Sequence, residues 1–288
     1  MHSEHAPHSP PQRRTGAALL LRRLMAPGEH LMRNLRMRTK LALVAAAALV
    51  PLSLLMALSL GRLWDDRQII QSELEGARVA KHLVGLAGTV QRHRSLVHRV
   101  AMGDTAAAGE VEDSDRKLAA DVAQVAQALQ GLQRLDLRDD WAQLQKQMLA
   151  LSNGASDNPA AVFDSHVRAV RGLQALIETT AERTLLDLDP VAETYYLANA
   201  ATHSLLQLQE ATAQARALGT GILMRAGDSP HRRAAVLVTV GQMERSAADV
   251  RAQLAALQRA GGEVPGSAPQ ALELITRFAS ETQTLFAG

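Results

Sequence analysis

Cysteine is missing from all 288 residues, which excludes a disulfide framework and any thiolate-metal site. Its absence fits an oxidising compartment. Aromatic residues make up only 2% of the chain. Base-stacking nucleic-acid surfaces and aromatic cages need more, so nucleic acid is not an expected partner. A strand-rich fold is disfavoured for the same reason. Neither sign of charge prevails: 31 Lys and Arg face 29 Asp and Glu, a formal +2. What remains is dominated by Ala, Leu, Gln, Arg and Val, in a chain long enough to bury a core.

The near-neutral total hides an asymmetry. Residues 1–40 carry +6 and residues 41–288 carry −4. Next to the basic end, Leu41 to Leu60 reads LALVAAAALVPLSLLMALSL, a stretch without any charge. As a helix such a run reaches about 30 Å, the hydrocarbon thickness of a bilayer. Pro51 in its middle is tolerated in membrane helices. Arg33, Arg36, Arg38 and Lys40 stand directly before it. By the positive-inside rule they put residues 1–40 in the cytoplasm and everything after residue 60 beyond the inner membrane, in the periplasm. Two other readings stay open. One is a buried core helix. The other is a cleaved signal peptide with Ala57-Leu58-Ser59 at its cleavage site, although signal h-regions run only about 7–15 residues. Residues 1–31, with His2, His5, His8, Pro7, Pro10 and Pro11, make a polar tail that is expected to be disordered, or alternatively a weak H-x-x-H-x-x-H chelator. Met32 is a second candidate start.

Beyond residue 61 the spacing predicts helix nearly throughout. Starts are signalled by Asp157-Asn158-Pro159, Asp189-Pro190, Ser229-Pro230 and Ser267-Ala268-Pro269, the last with Gln270 completing a capping box. Stops are signalled at Gly103-Asp104, Asn153-Gly154, Gly227-Asp228 and Gly261-Gly262, with a break or kink at Leu135-Asp136. One apolar ladder runs Leu83, Leu86, Val90, His93, Val97, Val100. Another runs Leu197, Ala201, Leu205, Leu208, Ala211, Ala215, Leu218, Ile222. Both keep helical steps. Long helices with one apolar stripe each imply an all-α fold, a long antiparallel helical bundle whose first helix is continuous with a transmembrane span.

Catalytic chemistry is not legible. Ser114-Asp115-Arg116-Lys117 matches S-x-x-K without its partner motifs, and no phosphate loop occurs. His93 and His98 stand five apart, off metal-ligand register. No catalytic residue, metal or cofactor is expected, and an enzyme is not the reading. One internal echo bears on binding: QRHRSLVHRVAMGD at 91–104 against QARALGTGILMRAGD at 214–228. Each places an arginine near an apolar seam. Arg94 continues Leu83, Ala87 and Val90, and Arg216 follows Leu205, Gln209 and Thr212. A guanidinium on an inner face needs a carboxylate, backbone carbonyls or a bound anion, unless its stem is buried and its head stays in water. Arg94, Arg216 and the adjacent His93 are the candidate ligand-binding residues, for a small anionic ligand shared between the two arginines.

With these segments in view, the chain resembles the amino-terminal sensory half of bacterial transmembrane receptors, chiefly methyl-accepting chemotaxis proteins and some sensor histidine kinases. RTKLALVAAAALVPLSLL at the membrane, ELEGARVAKHLVGLAGTVQRHRSL, and ERTLLDLDPVAETYYLANAATHSLLQLQEATAQARALGTGIL carry the likeness. A fainter likeness is to helical nitrate- and nitrite-sensing domains, which use arginines from separate helices. They usually have Arg-Gly where this chain has Arg94-Ser95 and Arg216-Ala217. The resemblance implies a tail over 1–31, a basic flank and transmembrane helix over 32–60, and a periplasmic helical-bundle sensory domain over 61–288. It also implies a ligand and signal transduction in chemotaxis, from a homodimer in the inner membrane. Leu74, Ala77 and Leu83 are the expected dimer seam. A complete receptor needs a second span and an output module, so the chain is expected to be truncated before them; a free-standing single-span helical scaffold is the alternative.

Overall fold

The computed structural model describes residues 36–130, 135–152, 158–224 and 229–287. Among the described residues there is helix and no strand, so the fold is all-α. Helix α1 spans Met37–Ala101, α2 Ala108–Gln130, α3 Arg138–Ser152 and α4 Pro159–Arg183. Then come α5, Ala192–Asn199, a π-helical turn, Ala200–Ser204, and α6, Leu205–Met224. Helices α7, Pro230–Arg259, and α8, Ala268–Ala287, complete the order. The tail over 1–31 with its histidines, Met32, and the stops at Asn153-Gly154 and Gly227-Asp228 lie outside the described residues.

Two compact units divide the chain, Met1–Asp66 and Arg67–Gly288. In the first, the uncharged run is helical and its side chains face outward. Leu41, Val50, Leu52 and Leu55 are each more than 60% exposed. An 18-residue window there has mean hydropathy 2.5 and none of it is buried, so this helix is long and apolar enough to cross a membrane. The buried-core-helix reading is thereby overturned.

Among the described residues of the second unit three apolar clusters form, the smallest of them Ala181, Leu186 and Ala198. Leu83, Leu86 and Val90 of α1 pack with Leu118 and Val125 of α2, Met148 of α3, and Leu173 and Ile177 of α4. Ala211 and Ala215 of α6 pack with Val236 and Met243 of α7, and with Leu272 and Phe286 of α8. Leu83 is fully buried in the first core. It therefore cannot belong to a dimer seam, whereas Leu74 is 55% exposed and can.

Local signals act as the sequence leads one to expect. The Asn158 side chain accepts from the N–H groups of Ala160 and Ala161, with Pro159 opening α4. Ser229 caps α7 by accepting from the Arg232 N–H. Gly103 and Gly261 stop their helices at φ +104 and +97, where a side chain would clash with the backbone. The break at Leu135-Asp136 is real, with Asp136 left-handed at φ 48 and its carbonyl held by Arg183 at 2.8 Å. At Asp189-Pro190 the helix starts later than expected, at Ala192, because Asp189 Oδ1 accepts from the Val191 N–H at 2.7 Å and holds a turn.

The ladder from Leu197 splits. Leu208, Ala211, Ala215 and Ile222 are buried, but Leu197 and Leu205 are 48% and 44% exposed. The π turn is the cause: its extra residue changes which positions align with which. Buried contacts before Leu208 fall instead to Ala198, Ala200, Thr202, Ser204 and Leu206.

Candidate functional site

Helix α1 carries Leu83, Leu86 and Val90 into the first core, and one turn further the same face presents Arg94. This is the largest fully buried side chain described, 1% exposed. A bare guanidinium at that depth would be costly, and the cost is met by α6. Arg94 Nη1 donates to Glu210 Oε1 at 2.6 Å and Nη2 to Oε2 at 3.1 Å. Gln91 donates to Oε2 at 2.9 Å and Gln214 to Oε1 at 2.6 Å, so both carboxylate oxygens are doubly satisfied. The guanidinium carbon also lies 5.1 Å from the centre of the Phe163 ring, a cation–π distance. Of the partners open from sequence, a protein carboxylate is the one Arg94 meets. Arg94 Nε, also buried, finds no partner among the described residues, and Arg94 lines a cavity of about 250 Å³ with Val97, Phe163 and Pro159.

His93, the next residue back, is 1% exposed and enters a second polar chain. Its Nε2 meets Asp115 Oδ1 at 2.8 Å, and its Nδ1 meets His166 Nε2 at 2.7 Å. His166 Nδ1 in turn meets the Val162 carbonyl at 2.8 Å. The carbonyl and the carboxylate can only accept. Filling all three contacts therefore takes three N–H on two rings, one more than two neutral imidazoles carry, with Asp115 there to balance it. The rings stack at 5.0 Å between centres. Burial pushes the His166 pKa down from 6.5 to about 4, against the Val162 hydrogen bond; the charges of His93 and Arg94 push the same way and Asp115 opposes them.

Arg216 goes elsewhere. It stands one residue, about 100° of helix, past the buried Ala215, and is exposed. With Leu205, Gln209 and Thr212 it lines a cavity of about 1230 Å³. This cavity is walled by α1, α5, the π turn, α6 and α8, including Val84, Leu197, Ala201, Ile275 and Phe278. Leu197, Ala201 and Leu205, the misplaced start of the ladder, face it together. The described structure thus puts His93 and Arg94, neighbours in sequence, into two separate buried polar groups and puts Arg216 in a different place again. The two arginines of the sequence echo are not equivalent. One residue belongs to the places of both arginines: Gln91 lines the large cavity and donates to the carboxylate that holds Arg94.

Sequence reasoning missed Glu210, Gln214, His166, Asp115 and Phe163. A signal for Glu210 existed, since it is the only acidic residue between Glu193 and Asp228 and lies within the apolar ladder. Nothing local marks His166, whose role comes from a partner on another helix. Among the described residues no group of three or more His, Asp or Glu is arranged to hold a metal ion. No family model, curated protein or solved structure matches this chain.

Proposed function

We propose that this chain is the membrane-anchored, ligand-sensing part of a signal-transduction receptor of the chemotaxis type. Residues 41–60 cross the inner membrane with the amino terminus inside, and residues 61–288 form a long antiparallel bundle outside. The observation that carries this is α1: one 65-residue helix holds an outward-facing uncharged run and, further on, a face packed into the core. A displacement of anything packed on the second half has a short covalent route to the first. Pairing supports the bundle: Thr89 and His93 of α1 meet Asp121 and Asp115 of α2 in reverse order. The cavity walled by α1 and α6 supplies room for a ligand against the same helix.

The test has two parts. Reporter fusions after residue 110 should be active only outside the inner membrane, and the mature chain should retain residues 41–60. The full chain in lipid nanodiscs should be stabilised by at least one compound in a thermal-shift screen of small anions and metabolites. A cytoplasmic reporter, a chain starting near residue 60, or a screen without a hit would each remove the sensory reading.

A further inference from the structure

We propose that the large cavity binds an amphipathic organic anion, an apolar body of fatty-acid type that ends in one carboxylate. The carboxylate sits against Arg92 and Arg216, and the chain lies along the wall of Leu197, Ala201 and Leu205. This rests on the sensory reading and names the ligand class of the same domain.

Charge is the first argument. Lys81, Arg92 and Arg216 all line the cavity, and no Asp or Glu does. Some described cations elsewhere are matched, as in Arg99 with Asp104, Lys117 with Asp121 and Arg277 with Glu281; what distinguishes the cavity is that three cations share one lining with no carboxylate in it. These three form no ion pair among the described residues. Uncompensated positive charge concentrated on a concave wall raises the local concentration of anions. Two forked guanidiniums suit a planar carboxylate.

Shape is the second argument. Apart from the three cations, the lining is apolar side chains with a few amides and hydroxyls. About 1230 Å³ exceeds the roughly 300–1,000 Å³ usual for drug-sized ligands, so there is room for a long chain. A short carboxylate would leave the apolar walls wet, and an alcohol of the same length would leave the guanidiniums to water. Only a molecule with both ends uses both features. Gln91 then gives the occupant a contact with the buried cluster, since its amide also serves Glu210.

Isothermal titration of the full chain in nanodiscs with decanoate, referenced to empty nanodiscs, tests this directly. Acetate and decanol serve as controls for head and body. Saturable decanoate binding is expected, with acetate and decanol each weaker by about tenfold or more, the worth of a charge-assisted hydrogen bond or of several buried methylenes. Arg92→Gln and Arg216→Gln should each weaken decanoate by about tenfold and leave decanol unchanged. Ala201→Trp, intruding into the cavity, should abolish binding while the helical circular dichroism is kept. Equal binding of decanol and decanoate, or indifference to both arginine variants, overturns the anion. No heat beyond that of empty nanodiscs overturns the site, as does an Ala201→Cys variant that cross-links two copies, for then a second chain fills the groove. None of these outcomes touches the topology or the metabolite screen, so the sensory reading fails separately.

Discussion

At the scale of single residues, the decisive contact is the buried ion pair of Arg94 with Glu210. Removing one member of such a pair strands the other, which costs far more than the pair contributes over apolar side chains of equal size. Arg94→Ala or Glu210→Ala should each lower the unfolding free energy by about 3–5 kcal/mol. The joint change Arg94→Met with Glu210→Leu should recover most of that loss, and urea titration followed by circular dichroism measures both. His166 gives a pH signature. Below pH 6.5 the unfolded chain binds a proton that the folded chain refuses until about pH 4. Its contribution is therefore fully present above pH 6.5 and is lost as pH falls towards 4, by at most about 1.4 kcal/mol per pH unit. His166→Gln should flatten that slope. Arg94 was visible in the sequence as a cation in phase with Leu83, Ala87 and Val90. Its partner was not, because Glu210 lies 116 positions away and periodicity carries no information about which helices meet.

At the scale of elements, two glycines of α1 make a matched comparison. Glycine in a helix interior costs roughly 1 kcal/mol relative to alanine, so replacing it should stabilise unless something occupies the space. A Cβ on Gly85 would meet nothing within 4 Å, and one on Gly76 would run into the Thr184 side chain. Thr184 is fully buried and its hydroxyl is bound to the Thr180 carbonyl, so it cannot yield cheaply. Gly85→Ala should gain about 0.5–1 kcal/mol and Gly76→Ala should lose about 1–3 kcal/mol, a difference of sign that thermal unfolding resolves. Helix identity, capping at Asn158 and Ser229, and the break at Asp136 were all legible, because each depends on neighbours in sequence. The ladder from Leu197 misled, since a π turn leaves no periodic mark and shifts the phase. The same stripe, misread as core, is the cavity wall.

For the whole molecule, the absence of native thiols makes pairing between copies easy to map. Exposed Leu74 and Ala77 lie on α1 between the uncharged run and the first core. Single cysteines placed over residues 64–82 should cross-link between copies every three or four positions if α1 pairs with itself in parallel. The pattern should fade approaching Leu83, which the core already covers. A flat profile would mean that α1 does not pair. Of the seam residues expected from sequence, Leu83 is the one the core already covers, because an apolar ladder looks the same whether its own chain or a second copy covers it.

The π turn also has a consequence for how this chain tolerates insertion and deletion. Its five residues Ala200–Ser204 hold one more residue than an α-helical path needs, with both flanks still helical. Deleting a single residue there should leave an ordinary α-helix in which Leu197 and Leu205 still share a face, seven positions apart. The same deletion within residues 209–214 would rotate everything downstream by about 100°. Arg216 would leave the cavity and Ala215 its packing against α7 and α8. A one-residue gap is therefore nearly neutral at one point of this helix and ruinous two turns later. Decanoate titration of the two deletion variants would separate them: binding kept in the first, binding and thermal stability both lost in the second.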